Sequence, residues 1–218
     1  MHEDPSYRPR GGPRRIVVGI SGASGALYSK RVMELLAAAG IEIHLCVTSL
    51  GRRLLFDELD MRKVDPDALT GGRGDRVVLY GDNDLGARIA SGSFLHDGMV
   101  VVPCSSNTLG AVASGITANL LQRAAAVTLK ERRRLVLAHR ETPLTHIDIQ
   151  NMERLSASGA IVAPLNPGLY LLPKTVDEIV DFLAGKMLDL LQVDHDLDIR
   201  WNPRGVASGS GGDAADTD

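Results

Sequence analysis

Arg140 and Glu141 follow, after His139, an apolar run, Leu135 to Ala138, that reads as a buried strand. A charged pair leaving the carboxyl end of such a strand is costly unless it has ligands or partners. The arginine can fork onto a phosphate, and the glutamate can donate a proton beside it. An internal Arg–Glu ion pair uses the same two residues and remains the alternative. Upstream, Arg123 and Lys130 lie in a helix-period stretch that ends in Glu131-Arg132-Arg133-Arg134. Residues 131–134 read as a solvated, charged helix end.

A second group of residues also calls for an anion. The segment IVVGISGASG from Ile16 to Gly25 is a buried strand entering a small-residue turn, with a helix following at once. Backbone amides and the positive helix end then aim at one point beside Gly22, Ala23 and Ser24. The dinucleotide fingerprint G-x-G-x-x-G is not met, because Ser21 and Ser24 stand where its later glycines would be. The second strand ends in Thr48-Ser49 instead of the acidic residue that holds an adenosine ribose. This disfavours a dinucleotide and leaves a mononucleotide. A tight turn that simply needs glycine accounts for the same residues, so the other loops decide.

In an open parallel sheet, ligands gather at the carboxyl ends of the strands. There Pro103-Cys104-Ser105-Ser106-Asn107-Thr108 opens a helix rich in small residues. Its hydroxyls and amide are anion ligands, and ordinary capping explains one of the four more easily than all of them. Ala90-Ser91-Gly92-Ser93 is a polar loop and a weaker signal. Asn166-Pro167-Gly168-Leu169-Tyr170 presents a tyrosine on a Pro/Gly loop, where its hydroxyl can reach a ligand. The histidines show no metal spacing, and Cys46 and Cys104 sit in apolar runs as small buried hydrophobes. Neither a metal nor a disulfide is expected.

The elements that must position these residues follow from the pattern of the chain. Strands are predicted near Ile16–Ile20, Ile41–Val47, Val77–Tyr80, Met99–Val102, Leu135–Ala138 and Ala160–Ala163, alternating with helical segments. Thr145 with Asp148, and Thr175 with Glu178, are spaced as helix-starting capping boxes. The last helix, Val176 to Leu191, would turn Val176, Ile179, Val180, Leu183, Met187, Leu190 and Leu191 inward. The alternation predicts one α/β domain, doubly wound, Rossmann-like or flavodoxin-like, with a mostly parallel sheet and helices on both faces. Its expected bounds are 14–203, between disordered tails at 1–13 and 204–218 that are rich in Gly, Pro, Ser and Asp. At 218 residues and 44% hydrophobic content the chain can build such a core. Its net charge of -3 gives no global attraction to nucleic acid or to an anionic membrane. With no apolar run of membrane-spanning length and no signal-peptide core, the cytoplasm is the expected location.

Taken in order, GISGASGA at 19–26, ASGSF at 90–94, PCSSNTL at 103–109, RAA and LKERR within 123–133, RETPL at 140–144 and PGLY at 167–170 resemble the flavin prenyltransferase family, from about Arg15 to Trp201. The resemblance implies a metal-independent transferase. Its chemistry joins the dimethylallyl group of dimethylallyl phosphate to N5 and C6 of reduced FMN, making prenylated FMN for a UbiD-type decarboxylase. Without a metal, cationic side chains and a proton donor must serve the leaving phosphate. The implied flavin contacts are Gly22, Ala23, Ser24 near N5, Thr48, Ser105, Ser106, Asn107, Thr108 and Arg140. The implied phosphate contacts are Arg123, Lys130, Arg140, Glu141, Tyr170 and Lys186. Glu141 is then the acid toward the departing phosphate, and Glu58 helps proton transfer at N5 and C6.

Lys186 stands where the family usually has an arginine, a point charge in place of a fork. Ala126 stands where many members have an aspartate. The resemblance further implies a homo-oligomer, commonly a dodecamer, with sites lined by neighbouring subunits. The rival reading is a flavin-dependent cysteine decarboxylase on the same fold, whose histidine and Met-containing clamp are not found here. A non-catalytic flavin carrier would not need Lys130, Arg140 and Glu141.

Overall fold

A computed structural model describes residues 14–200; both expected tails and residues 201–203 of the expected domain lie outside that range. The six apolar runs form β1 (Arg15–Ile20), β2 (Glu42–Val47), β3 (Val77–Tyr80), β4 (Gly98–Cys104), β5 (Leu135–His139) and β6 (Ile161–Val162). All neighbours pair in parallel, in the order β3-β2-β1-β4-β5-β6. Of the doubly wound orders this is the Rossmann one, and it reverses between β1 and β4, opening a crevice above their carboxyl ends.

Strands buried on both faces need apolar residues at every position, which is why they were legible as continuous runs. Ile16, Val18 and Ile20 of β1 pack into one core cluster with Ile43 and Leu45 of β2. That face is covered by α1 (Ala26–Ala38), α2 (Ser49–Leu59), the short α3 (Pro66–Thr70) and α7 (Val176–Leu191). The alternate residues Val17, Cys46, Met99 and Val101 join the opposite cluster. There α4 (Ser106–Ala113), α5 (Leu120–Lys130) and α6 (His146–Ala157) pack.

Both capping boxes form. The Thr145 hydroxyl accepts from the Asp148 amide while the Asp148 carboxylate accepts from the Thr145 amide, and Thr175 and Glu178 do the same. The inward face of α7 differs from the periodic reading in one place. Val176, next to its cap and a turn ahead of the first buried residue Val180, is 63% exposed.

The basic end of α5 also departs from expectation. Arg133 donates to the carbonyls of Phe94 (2.6 Å) and Gly92 (2.7 Å), and Arg134 to that of Leu190 (2.7 Å). These two side chains tie a loop and a helix end to the sheet, so only Glu131 and Arg132 remain exposed.

Candidate active site

The end of β1 is fastened to the end of β4 at the crevice. Ser21 is 1% exposed; its hydroxyl donates to the Pro103 carbonyl (2.9 Å) and accepts from the Ser105 amide (2.8 Å). Ser105 then starts α4: its Oγ accepts from the Thr108 amide (3.3 Å) and donates to Thr108 Oγ1 (3.2 Å). Thr48 caps α2 by accepting from the Gly51 amide (3.0 Å). Capping therefore accounts for Thr48 and Ser105 but not for Ser106, whose Oγ lies 3.1 Å from His139 Nε2, or for the exposed Asn107. Both helices start at the same strand edge, with their amide ends toward the crevice.

The small-residue turn has a more particular structure than a bare anion cradle. Gly25 has φ 132°, a backbone conformation that L side chains rarely adopt. A Cβ on Gly22 would lie 2.3 Å from Leu50 Cβ, so the approach of α2 excludes a larger residue there. The amides of Gly25 (3.0 Å) and Ala26 (2.8 Å) donate to the Glu58 carboxylate, brought in from the last turn of α2. The anion at the start of α1 is thus the chain's own. What the turn presents outward is the exposed Gly22 and Ser24; Ala23 is buried.

Arg140 leaves β5 at the same edge, its amide donating to the Cys104 carbonyl (3.2 Å). Its Nε is buried and has no acceptor. Tyr28 of α1 stands close enough to feel both Arg140 and Glu58. Burial raises its hydroxyl pKa, Arg140 opposes that shift and Glu58 adds to it. Glu141 is exposed, and its Oε1 accepts from the Thr142 amide (3.1 Å). No Arg140–Glu141 ion pair forms among the described residues, so the alternative reading of that pair is not what the fold adopts.

Behind Arg140, burial is the chief cause that lowers the pKa of the buried His139, and Asp148 opposes it. Hydrogen bonds from Thr145 and then Ser106 hold the Asp148 carboxyl below the usual range. Ser106 therefore links the start of α4 to the end of β5 and the start of α6. Glu141, Ser106 and Asn107 share one groove of about 970 Å³ that runs between α4 and α6.

The remaining expected contacts are elsewhere in the chain. Arg123, in the first turn of α5, donates to the Ala90 carbonyl (3.2 Å). Lys130 ends α5, where the chain turns toward the amino end of β5, and it pairs with Glu131. Tyr170 and Lys186 line a separate groove of about 670 Å³ beside β6 and α7. One chain thus gathers Ser24, Glu58, Thr48, Ser105 to Thr108, Arg140 and Glu141 around the carboxyl edge. Within that chain Arg123 is turned to Ala90 and Lys130 to Glu131, while Tyr170 and Lys186 line the other groove.

Sequence reading assigned no site role to Tyr28 or His139, and gave Asp148 only its place in a capping box. Tyr28 stands four residues before the buried Val32, a spacing that reads as one more apolar position of α1. The Ser21 hydroxyl was noticed, but its partners lie 82 and 84 residues further on. Both cysteines are buried free thiols whose pKa burial pushes up to about 12. Among the described residues no His, Cys, Asp or Glu group could hold a metal ion, and no helix is long and apolar enough to cross a membrane.

A Rossmann-order sheet with polar helix starts and an arginine whose buried Nε has no acceptor at its carboxyl edge is the frame of a mononucleotide-binding enzyme, and the chain belongs to the flavoprotein family, whose model matches residues 5–188. Within that family it groups with the flavin prenyltransferases, which are transferases. It is 46% identical over 187 residues to the flavin prenyltransferase UbiX of Thermoplasma acidophilum, covering 86% of this chain and 99% of that one. Identity to the same enzyme of Halalkalibacterium halodurans is 44% over 188 residues, covering 84% and 91%. The crystal structure of AnUbiX (PadA1) in complex with FMN and dimethylallyl pyrophosphate superposes with a TM-score of 0.79 at 38% identity, over 88% of this chain and 98% of that chain. A dodecameric FMN-dependent UbiX-like decarboxylase from Escherichia coli O157:H7 gives 0.78 at 35% identity, over 87% and 100%. The FMN-dependent cysteine decarboxylase TvaF shares the fold alone, at 20% identity and a TM-score of 0.54 over 70% and 90% of the two chains.

Proposed function

We propose that this protein attaches the dimethylallyl group of dimethylallyl phosphate to N5 and C6 of reduced FMN, releasing prenylated FMN for a UbiD-type decarboxylase. The observation that carries the reading is Arg140 Nε, a buried cationic donor without an acceptor at the carboxyl edge of the sheet, on a residue whose amide is bonded to the end of β4. A buried unpaired donor is unfavourable unless a ligand completes it. An anionic mononucleotide fits, with hydroxyls and the helix starts at Thr48 and Ser105 to Thr108 around it and the exposed Gly22 and Ser24 on its other side. The flavin-bound relative supports that choice of nucleotide.

Reduced FMN supplies the nucleophilic N5 and C6. Ser24 lies by N5, on the turn whose backbone Glu58 fixes through Gly25 and Ala26. N5 loses its proton as it bonds to the prenyl carbon that the phosphate leaves; a proton then adds to the prenyl double bond, its tertiary carbon bonds to C6, and the C6 hydrogen departs as a proton, with Glu58 moving protons in these steps. Glu141, exposed at the mouth of the crevice, gives a proton to the phosphate oxygen as its bond to the prenyl carbon breaks. The cations Arg140, Lys186, Arg123 and Lys130 neutralise the departing phosphate, the work that a metal does elsewhere.

Because Arg123 and Lys130 lie apart from Arg140 within one chain, they reach the phosphate from a neighbouring subunit of a homo-oligomer. The dodecameric relative supports such an assembly. The cysteine-decarboxylase reading is the weaker one, since that likeness stops at the fold.

Flavin released after anaerobic incubation of the protein with reduced FMN and dimethylallyl phosphate should activate a cofactor-free UbiD-type decarboxylase, whereas FMN alone should not. Failure to activate would refute the product assignment. Glu141→Gln should keep FMN binding while slowing prenyl transfer, and full turnover would remove Glu141 from its role.

A further inference from the structure

After α7 the chain doubles back along that helix, with Val193 and Ile199 buried against the fold. Gly185 permits the close approach: a Cβ there would stand 2.6 Å from Ile199 Cδ1 and 3.2 Å from His195 Cε1. The His195 side chain is 2% exposed, its Nε2 is 3.4 Å from Asp189 Oδ1, and its Nδ1 accepts from the Leu197 amide (3.2 Å). The strap ends at the groove beside β6. There the Tyr170 hydroxyl donates to the Ile199 carbonyl (3.4 Å), and Arg200 reaches the same Asp189 oxygen through NH2 (3.3 Å).

Tyr170, Lys186 and Arg200 therefore line one groove, with Asp189 the carboxylate among them. The Asp189 contact uses one guanidinium nitrogen, and Arg200 lines the groove with a side chain that is 76% exposed. Lys186 makes no ion pair among the described residues. A compact ammonium, a planar fork and a phenol around one hollow suit the tetrahedral oxygens of a phosphate monoester. The apolar wall from Val162, Phe182 and Leu183 suits a short hydrocarbon beside it.

We propose that Arg200 is a phosphate-binding residue of this groove, acting with Lys186 and Tyr170 on the phosphate of the prenyl donor, and that Asp189 is a positioning residue that aims it. The assignment rests on the prenyl-transfer reading above. It also gives the strap a purpose: burial of Val193, His195 and Ile199 anchors an otherwise exposed arginine at the rim.

Calorimetric titration of the FMN-loaded full chain with dimethylallyl monophosphate, and separately with inorganic phosphate, tests it. Removing a charge-assisted contact should weaken donor binding about 10- to 100-fold in Arg200→Gln. Arg200→Lys should restore part of that loss, and FMN affinity and melting temperature should stay at wild-type values in both. Equal donor affinity in wild type and Arg200→Gln would overturn the proposal, as would a loss shared by FMN binding and thermal stability. If the wild type binds inorganic phosphate in an Arg200-dependent way but does not bind the donor, the phosphate site stands and the prenyl-transfer reading falls.

Discussion

Arg140→Met separates a ligand-binding arginine from a structural one, because the two roles move stability and affinity in opposite directions. In the protein without flavin, Arg140 Nε is buried and lacks an acceptor, while the backbone amide of the same residue is satisfied by Cys104. A buried unsatisfied donor costs about 1–3 kcal/mol. Methionine has a similar length and no donor, so the flavin-free variant should gain about 1 kcal/mol, or roughly 2–4 °C in melting temperature for a chain of this size. The flavin-bound state should lose a charge-assisted contact of about 1.5–3 kcal/mol, weakening FMN about 10- to 100-fold. Scanning fluorimetry without flavin and fluorescence titration with FMN read the two effects. A lower melting temperature together with unchanged FMN affinity would refute the reasoning, since Arg140 would then be part of the scaffold.

Glu58→Ala leaves the Gly25 and Ala26 amides without their acceptor and should cost about 1 kcal/mol in thermal stability, besides slowing prenyl transfer; an unshifted melting curve would show that water replaces the carboxylate. Gly22→Ala places a Cβ 2.3 Å from Leu50 Cβ and should lose about 1–3 kcal/mol by forcing α2 outward, which urea unfolding measures. His96 is driven down to about 4 chiefly by burial, with Arg133 adding to it. Its folded pKa is below its unfolded value near 6.5, so its contribution is present above that value and is lost as pH falls toward 4. His96→Asn should flatten the acid limb of the stability profile between those values by about 2–3 kcal/mol; an unchanged slope would assign the limb to carboxylates.

Much of the scaffold was legible because its signals are local. A strand covered on both faces must be apolar at successive positions, and the runs at Ile16 and Leu135 met that demand. Capping boxes close within three residues, so Thr145–Asp148 and Thr175–Glu178 could be read directly. The site residues at the carboxyl edge followed from their position after each strand.

What escaped depends on residues far apart in sequence. Nothing near Glu58 signals that its carboxylate closes the start of α1, 32 residues earlier. Arg133 and Arg134 have the look of a solvated cluster, yet their acceptors are carbonyls 39 and 56 residues away. The separation of Lys130 from Arg140 is likewise a consequence of helix direction: α5 carries its last residue away from the edge where β5 delivers Arg140, whereas Arg123, in its first turn, is held by the Ala90 carbonyl 33 residues earlier. Local pattern specifies the strand edge at which a residue emerges, whereas the partner it meets there is set by the packing of the whole sheet.

The central claim is that this chain builds a new carbon framework onto a flavin. Anaerobic incubation of the purified protein with reduced FMN and dimethylallyl phosphate, followed by mass analysis of the extracted flavin, tests it most directly. The account predicts that FMN gains one five-carbon prenyl unit, dependent on both the donor and Glu141; FMN recovered at its original mass would contradict it.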